Sequence, residues 1–176
     1  MKNNKINYGW IFKIVLSTFI ISIVFTLISE IAIPNVTIIL GIIICIIFIA
    51  IGVIFDMVGV AITTCDEKKL HSMASNKIKG AKTAIKFKKN ADKMSSFCND
   101  VIGDVCGIVS GSTATVIAIK ILEKTNFNEL VTTVIIMGVV SSLTIGGKAL
   151  EKSFAIKRST TIVYHFSKII SLFIGE

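Results

Sequence analysis

Residues 36–62 read VTIILGIIICIIFIAIGVIFDMVGVAI, and this apolar run decides the fold class of the chain. The run carries one charged side chain, that of Asp56. A helix needs about 20 consecutive apolar residues to cross a hydrocarbon layer of roughly 30 Å, and this run is longer. A helix also satisfies its own backbone hydrogen bonds, which lipid cannot do. The stretch therefore predicts a transmembrane helix.

Three more apolar runs lie at residues 10–29, 94–119 and 130–147. The 176-residue chain is 53% apolar and 17% charged, whereas soluble domains carry about a quarter charged residues. A cleaved signal peptide is the competing interpretation of the first run, but no small-residue cleavage site follows it. This composition excludes a disordered chain, a nucleic-acid-binding module and a secreted disulfide scaffold. We expect one all-α integral membrane domain over residues 1–176, a bundle of four transmembrane helices.

The segment 63–93, between the second and third runs, is strongly basic. It contains nine lysines against three acidic residues and so carries most of the formal net charge of +8. Basic segments stay on the cytoplasmic side of a membrane. We therefore expect a multi-pass protein of the cell membrane, with this segment and both termini in the cytoplasm. Its lysines would contact anionic lipid headgroups, and no nucleic acid partner is expected.

Amphipathic helices are predicted outside the membrane spans. In the basic segment, apolar residues recur at helical spacing on both sides of Gly80, which predicts two short helices separated by a break. Residues 152–174 predict a C-terminal amphipathic helix. Its expected apolar face consists of Ile162, Phe166, Ile169, Ile170 and Phe173.

Polar residues inside the third run are the candidate functional residues. Asp100 and Asp104 are four residues apart, which places them on one face of an α-helix, and Asn99 lies beside them. A carboxylate at the centre of a membrane helix costs about 2.5–3.5 kcal/mol on insertion scales, so it needs a reason to be there. Carboxylate and amide oxygens are the ligands that Mg²⁺ prefers. Asp56 could join them or lie in the headgroup zone.

Three interpretations of these acidic residues stay open. They could line a cation pathway or form a proton relay. They could also have a structural role near the cytoplasmic end, where they would be partly hydrated, pair with Lys148 at the end of the fourth run, or cap a helix of the basic segment. The chain has no arrangement of nucleophile and base that predicts catalysis, so we expect no enzyme. No cofactor is predicted, apart from Mg²⁺ or another divalent cation as a transported ion.

Small residues repeat every four positions in the third and fourth runs. Such stripes let helix backbones approach closely in lipid, within one chain or across a homodimer. The stripes consist of Gly103, Gly107, Gly111, Gly138, Ser142 and Gly146.

Several short motifs, taken in order, resemble those of the CNNM/CorC transmembrane domain of magnesium and cobalt transport proteins. The second run ends in VGVAITT at 58–64, the basic segment contains GAK at 80–82, and NADKMSS at 90–96 leads into the third run. IGD follows at 102–104, and GKALEK at 147–152 stands where the closing motif of the family belongs. The resemblance covers roughly residues 50–170 and depends more on arrangement than on identities.

The resemblance implies a divalent-cation site within the membrane, and this sequence departs from the family at that site. The family uses oxygen groups that include a serine, an asparagine and the closing-motif glutamate. Here Val58 and Gly59 stand at the Ser-Glu positions, Lys148 aligns with the glutamate, and Asp104 falls near the asparagine. The site has therefore either been rebuilt around other acidic residues or been lost.

We accordingly expect a transport or efflux domain for Mg²⁺ or Co²⁺, in a stand-alone form without the CBS modules of full-length members and with the first span as an addition. The expected metal ligands are Asp100, Asp104, Asn99 and Asp56, with Lys148 as a tethered counter-charge. The alternative is a non-transporting membrane scaffold or accessory subunit, which would associate through its glycine-rich helix faces.

Overall fold

A computed structural model describes residues 8–32, 37–125 and 127–174 of the chain, and these residues form eight α-helices and no strand. One π-helical segment, Phe97–Gly103, joins two of the helices without a break. The α-helices are α1 (Tyr8–Ala32), α2 (Ile38–Thr64), α3 (Glu67–Ser75), α4 (Ala81–Lys89), α5 (Ala91–Ser96), α6 (Asp104–Leu122), α7 (Glu129–Lys157) and α8 (Ser159–Ile174).

Four of these elements are long and apolar enough to cross a membrane, which confirms the predicted fold class. They are α1, α2, the continuous helix Ala91–Leu122 and α7. The fourth span is longer than the predicted 130–147, because α7 continues to Lys157 and the chain turns only at Arg158. No glycine or proline lies between residues 148 and 157 to end the helix earlier. The predicted start of the C-terminal helix at residue 152 is therefore wrong.

Side-chain caps fix the starts of three helices. The Thr37 hydroxyl accepts a hydrogen bond from the Leu40 amide at 3.5 Å, and the Asn128 side chain accepts one from the Val131 amide at 3.2 Å. The Asp66 carboxylate accepts from the Lys68 amide at 2.9 Å. Each cap satisfies one of the amide groups that a helix start leaves without an intrahelical partner.

Helix α2 lies at the centre of the bundle and contacts α5, the π-helical segment, α6, α7 and α8. One close approach of α2 to the third span is at Gly52. A Cβ at this position would lie 3.1 Å from the Cβ of Cys106 and 3.2 Å from the Gly103 carbonyl oxygen. Gly147 on α7 also allows a close approach to α2, because a Cβ at this position would lie 2.9 Å from Val53 Cγ2. Glycines thus set the distances from α2 to both neighbouring spans.

The predicted small-residue stripes do not mediate close helix contacts within the protein, except at Gly103. A Cβ on Gly107, Gly111, Gly138 or Gly146 would meet no atom of the described chain within 4 Å, and Ser142 is exposed. The intrachain part of that prediction is wrong because α2 meets its neighbours at other glycines. Contact between two copies of the chain stays a prediction.

Helix α1 packs along the outside of the bundle against α6 and the π-helical segment. The rings of Phe25 and Phe48 meet edge to face at 6.1 Å between centroids. The hydroxyl oxygens of Ser29 and Thr113 lie 3.3 Å apart. The most apolar stretch of α1 nevertheless buries none of its residues within the protein, as expected of a helix that faces lipid.

The main hydrophobic core lies at the end of α2 that leads into the basic segment. The α-helices α3 and α4 lie on either side of a break at Gly80, as predicted, and this glycine has a left-handed backbone with φ of 83°. Leu70, Ala84 and Val163 are completely buried there against the last turns of α2. The basic segment is therefore packed onto the bundle through its apolar face.

Helix α8 docks through a face that is shifted from the predicted one, and Ile162 and Phe166 of the predicted face pack against the core. Ile169 is 55% exposed, and the buried side chains are instead spaced by four residues, while Ile162 and Phe166 are half-buried. The Ser167 hydroxyl donates to the Tyr164 carbonyl at 2.9 Å, and Ser171 makes the equivalent bond at 2.8 Å, so both can be buried. The buried residues are Ser159, Val163, Ser167 and Ser171. The Phe173 side chain lies outside the described residues.

Candidate functional site: an ion-paired cluster inside the bundle

Three charged side chains from three spans meet inside the bundle. Asp56 lies on α2, Asp104 begins α6, and Lys148 lies on α7. Asp56 and Lys148 stand eight and nine residues before the ends of their helices. At about 1.5 Å per residue, both are roughly 12–14 Å from the ends next to the basic segment. The cluster therefore lies more than two helical turns inside the ends of α2 and α7.

Lys148 bridges the two carboxylates. Its Nζ lies 3.1 Å from Asp104 Oδ1, where it donates a hydrogen bond, and 3.8 Å from Asp56 Oδ2. The Asp56 side chain is 16% exposed and that of Lys148 is 28% exposed, whereas that of Asp104 is 64% exposed. The buried acid and the ammonium therefore form the inner part of the cluster, and Asp104 lies at its open side.

Asn99 holds Asp56 from the opposite direction. In the orientation that satisfies its neighbours, the Asn99 amide group donates to Asp56 Oδ1 at 3.3 Å and to the Asp56 carbonyl at 3.1 Å. The same side chain fills the space that a Cβ on Gly59 would need. The absence of a side chain at Gly59 thus makes room for the group that positions Asp56.

The structure does not bring Asp100 to this cluster. Asp100 is exposed, and within the described chain it takes part in no ion pair or side-chain hydrogen bond. The spacing argument that placed it beside Asp104 assumed an α-helix, but residues 97–103 are π-helical. In a π-helix, residue i bonds to i+5, so side chains are arranged around the helix axis differently from those of an α-helix. Asp104 contacts Lys148 in this structure, and Asp100 does not.

The sequence analysis did not single out Glu151, and this residue is the most buried acid near the cluster. It lies on α7 three residues after Lys148 and is 7% exposed. Its Oε2 atom is buried and has no hydrogen-bond partner among the described residues. Asp56, Lys148 and Lys152 are the charged groups close enough to act on it. The i, i+3 spacing from Lys148 was a signal that could have identified it.

The cluster holds its own positive charge. Among the described residues, no three acidic, histidine or cysteine side chains are placed to hold a metal ion together. Of the interpretations that the sequence left open, pairing with Lys148 is the one this conformation shows for Asp56 and Asp104. The ammonium thus stands where the two carboxylates converge.

These features define a multi-pass α-helical membrane protein with an ion-paired cluster between its spans. Residues 42–175 match the family described as CNNM, cyclin M transmembrane N-terminal domain. The chain belongs to this family, which confirms the resemblance read from its motifs. The domain is found in proteins associated with the transport of Mg²⁺ and other divalent cations. Helix α1 lies outside the matched range. No curated protein and no solved structure matches the chain.

Proposed function

We propose that this protein transports divalent cations, with Mg²⁺ as the first candidate ion and Co²⁺ as the second, and that Lys148 is its built-in counter-ion. One observation carries the proposal: the Lys148 ammonium lies between a carboxylate of α2 and a carboxylate of α6, at 3.8 and 3.1 Å. A position that holds a tethered cation between two acids is also suited to a free one.

The electrostatics of the cluster support exchange between the Lys148 ammonium and a free divalent cation. Two carboxylates inside a membrane protein repel each other unless a positive charge stands between them. Lys148 supplies one charge, whereas a divalent ion supplies two and binds oxygen ligands strongly. The Asp104 side chain is 64% exposed, so it is the carboxylate of the cluster that an entering ion can reach first. Asp56 and the Asn99 amide, turned to present its oxygen, would complete the set of ligands.

The proposed setting is the cell membrane, with both termini and the basic segment in the cytoplasm. The lysines of the basic segment would then face anionic lipid headgroups, which attract such charges by about 1 kcal/mol each. A homodimer fits the open glycine faces of the third and fourth spans, because small residues allow close contact between copies.

Flux measurements in proteoliposomes test the function. Wild-type protein should support Mg²⁺ uptake, while Asp56→Asn and Asp104→Asn should each abolish most of it. Asp100→Asn is the matched control, because it removes the same charge from the same span at an exposed position. Wild-type flux equal to that of empty vesicles, or equal loss in the Asp100→Asn variant, would contradict the proposal.

A non-transporting scaffold or accessory subunit is the second candidate. It is favoured by the open faces at Gly107 and Gly111, where a Cβ would meet nothing of the described chain within 4 Å. Under this alternative, wild-type protein gives no flux, and Gly107→Leu disrupts association with the partner. Asp104→Asn would leave that association intact.

A further inference from the structure

Glu151 on α7 is a buried acidic residue, and one of its carboxyl oxygens lacks a described partner. The residue is 7% exposed, and its Oε2 atom finds neither solvent nor a hydrogen-bond donor among the described residues. Buried polar groups in proteins are almost always paired, because an unpaired one loses its hydration without compensation. A carboxylate in this condition is stabilised either by a proton or by a cation that approaches it in another state of the protein.

Lys148, one turn earlier on the same helix, is one of the two cations that act on Glu151. Residues three apart on a helix are neighbours on its surface, so the flexible lysine stem can carry Nζ toward Glu151 without any backbone change. In the present state that ammonium is held by Asp104 and Asp56 at 3.1 and 3.8 Å. Lys152, the other cation that acts on Glu151, is exposed.

We propose that Glu151 receives the Lys148 ammonium when a divalent cation occupies the space between Asp56 and Asp104. The inference rests on the proposed transport function and adds to it the fate of the displaced lysine. Glu151 is thus a positioning residue, which acts on the transported ion through Lys148.

The charges balance in the loaded state, in which a divalent cation lies between Asp56 and Asp104. A divalent cation neutralises the carboxylates of Asp56 and Asp104, and the Lys148 ammonium neutralises that of Glu151. Without Glu151, cation entry would leave an unpaired ammonium inside the membrane span, which is strongly unfavourable. Glu151 therefore lowers the free energy of the loaded state, and its removal should weaken cation binding only as long as Lys148 is present.

A double-mutant cycle on Mg²⁺ affinity isolates this effect. Calorimetric titration with MgCl₂ in detergent compares wild type, Glu151→Gln, Lys148→Met and the double variant. Glu151→Gln alone should weaken Mg²⁺ binding by about tenfold, because the displaced Lys148 ammonium would then have no carboxylate partner. In the Lys148→Met background the same change should have no effect. Lys152→Gln is the control and should bind like wild type.

A second cycle tests the Lys148–Glu151 contact without any cation. In the Asp56→Asn, Asp104→Asn background, Lys148 loses both present partners, and only Glu151 can hold it. Adding Glu151→Gln should then lower the melting temperature by several degrees more than it does in wild type. Glu151→Met, which also removes the carboxylate, serves if the Gln variant does not elute as a single species.

The outcomes separate the two proposals. Equal loss of Mg²⁺ affinity from Glu151→Gln in both backgrounds means that Glu151 touches the cation itself, which overturns the inference and leaves transport standing. No loss in either background overturns it as well. If neither wild type nor Lys148→Met binds Mg²⁺, the transport proposal fails, and the melting cycle alone decides whether Glu151 is the second partner of Lys148.

Discussion

At the scale of single residues, Lys148 serves two carboxylates that differ in exposure. The Asp56 side chain is 16% exposed and also held by Asn99, whereas that of Asp104 is 64% exposed. An ion pair between exposed groups contributes only about 0.2–1 kcal/mol, but one that includes a buried carboxylate is costly to break from one side. Asp104 is thus the more exposed partner of Lys148 and the one that accepts its hydrogen bond, whereas Asp56 is the less exposed partner and is also held by Asn99.

Substitution of Gly59 tests how Asp56 is positioned. A Cβ at residue 59 would occupy the space of the Asn99 side chain, so Gly59→Ala must move Asn99 away from Asp56. We expect a loss of about 1–3 kcal/mol in the free energy of unfolding, because a buried polar group loses its partner. Thermal unfolding in detergent measures the change.

The matched control is Gly138→Ala on α7, where a Cβ would meet nothing of the described chain within 4 Å. Alanine is favoured over glycine inside a helix by about 1 kcal/mol, so this variant should melt at or above the wild-type temperature. A Gly59→Ala variant as stable as the Gly138→Ala variant would mean that Asn99 does not depend on that space.

At the scale of secondary-structure elements, hydropathy predicted the four spans and the glycine break, but not the register inside the third span. An apolar run indicates a helix but does not distinguish α from π hydrogen bonding, so the π-helical segment could not be foreseen. The docking face of α8 was missed for a different reason. Its buried serines satisfy their hydroxyl groups on their own helix, and a hydrophobic pattern does not register them.

The end of α2 provides a prediction at this scale. The Lys88 ammonium on α4 donates to the Thr63 carbonyl at 2.8 Å and to the Ile62 carbonyl at 3.3 Å. A cation at a helix C-terminus satisfies the last carbonyl groups and complements the helix dipole. We expect Lys88→Met to lower the free energy of unfolding by about 1 kcal/mol.

The exposed neighbour Lys89 provides the comparison for Lys88, since Lys89→Met removes the same charge from the same helix. That variant should unfold at the wild-type temperature. Equal melting of both variants would show that the contact with α2 adds nothing beyond the net charge of the basic segment. Both variants can be compared in one detergent by following ellipticity on heating.

At the scale of the whole molecule, the protein is packed tightly at one end and open along the spans. The core formed by α2, α3, α4 and α8 lies beside the basic segment, while the most apolar stretches of α1 and α7 bury none of their residues within the protein. The open faces of the spans agree with their apolar composition, because lipid takes the place of a core for apolar side chains. The ion-paired cluster required three helices to converge, which a single sequence does not reveal.

Orientation in the membrane is a prediction for the whole chain. Because the basic segment carries nine of the lysines, both termini should lie on the cytoplasmic side. In a bacterial host, green fluorescent protein fused to either terminus should fluoresce, and alkaline phosphatase at either terminus should be inactive. Alkaline phosphatase inserted at residues 123–128 should be active. An active phosphatase at the C-terminus would contradict the assigned orientation.

The central claim is that the Lys148 ammonium occupies the place of the transported cation, and a titration of the Lys148→Met variant with MgCl₂ tests it most directly. Removal of the competing charge leaves Asp56 and Asp104 facing each other. The variant should then bind Mg²⁺ about tenfold or more tightly than wild type, a difference of ~1.4 kcal/mol. Equal or weaker Mg²⁺ binding by the Lys148→Met variant would contradict the account.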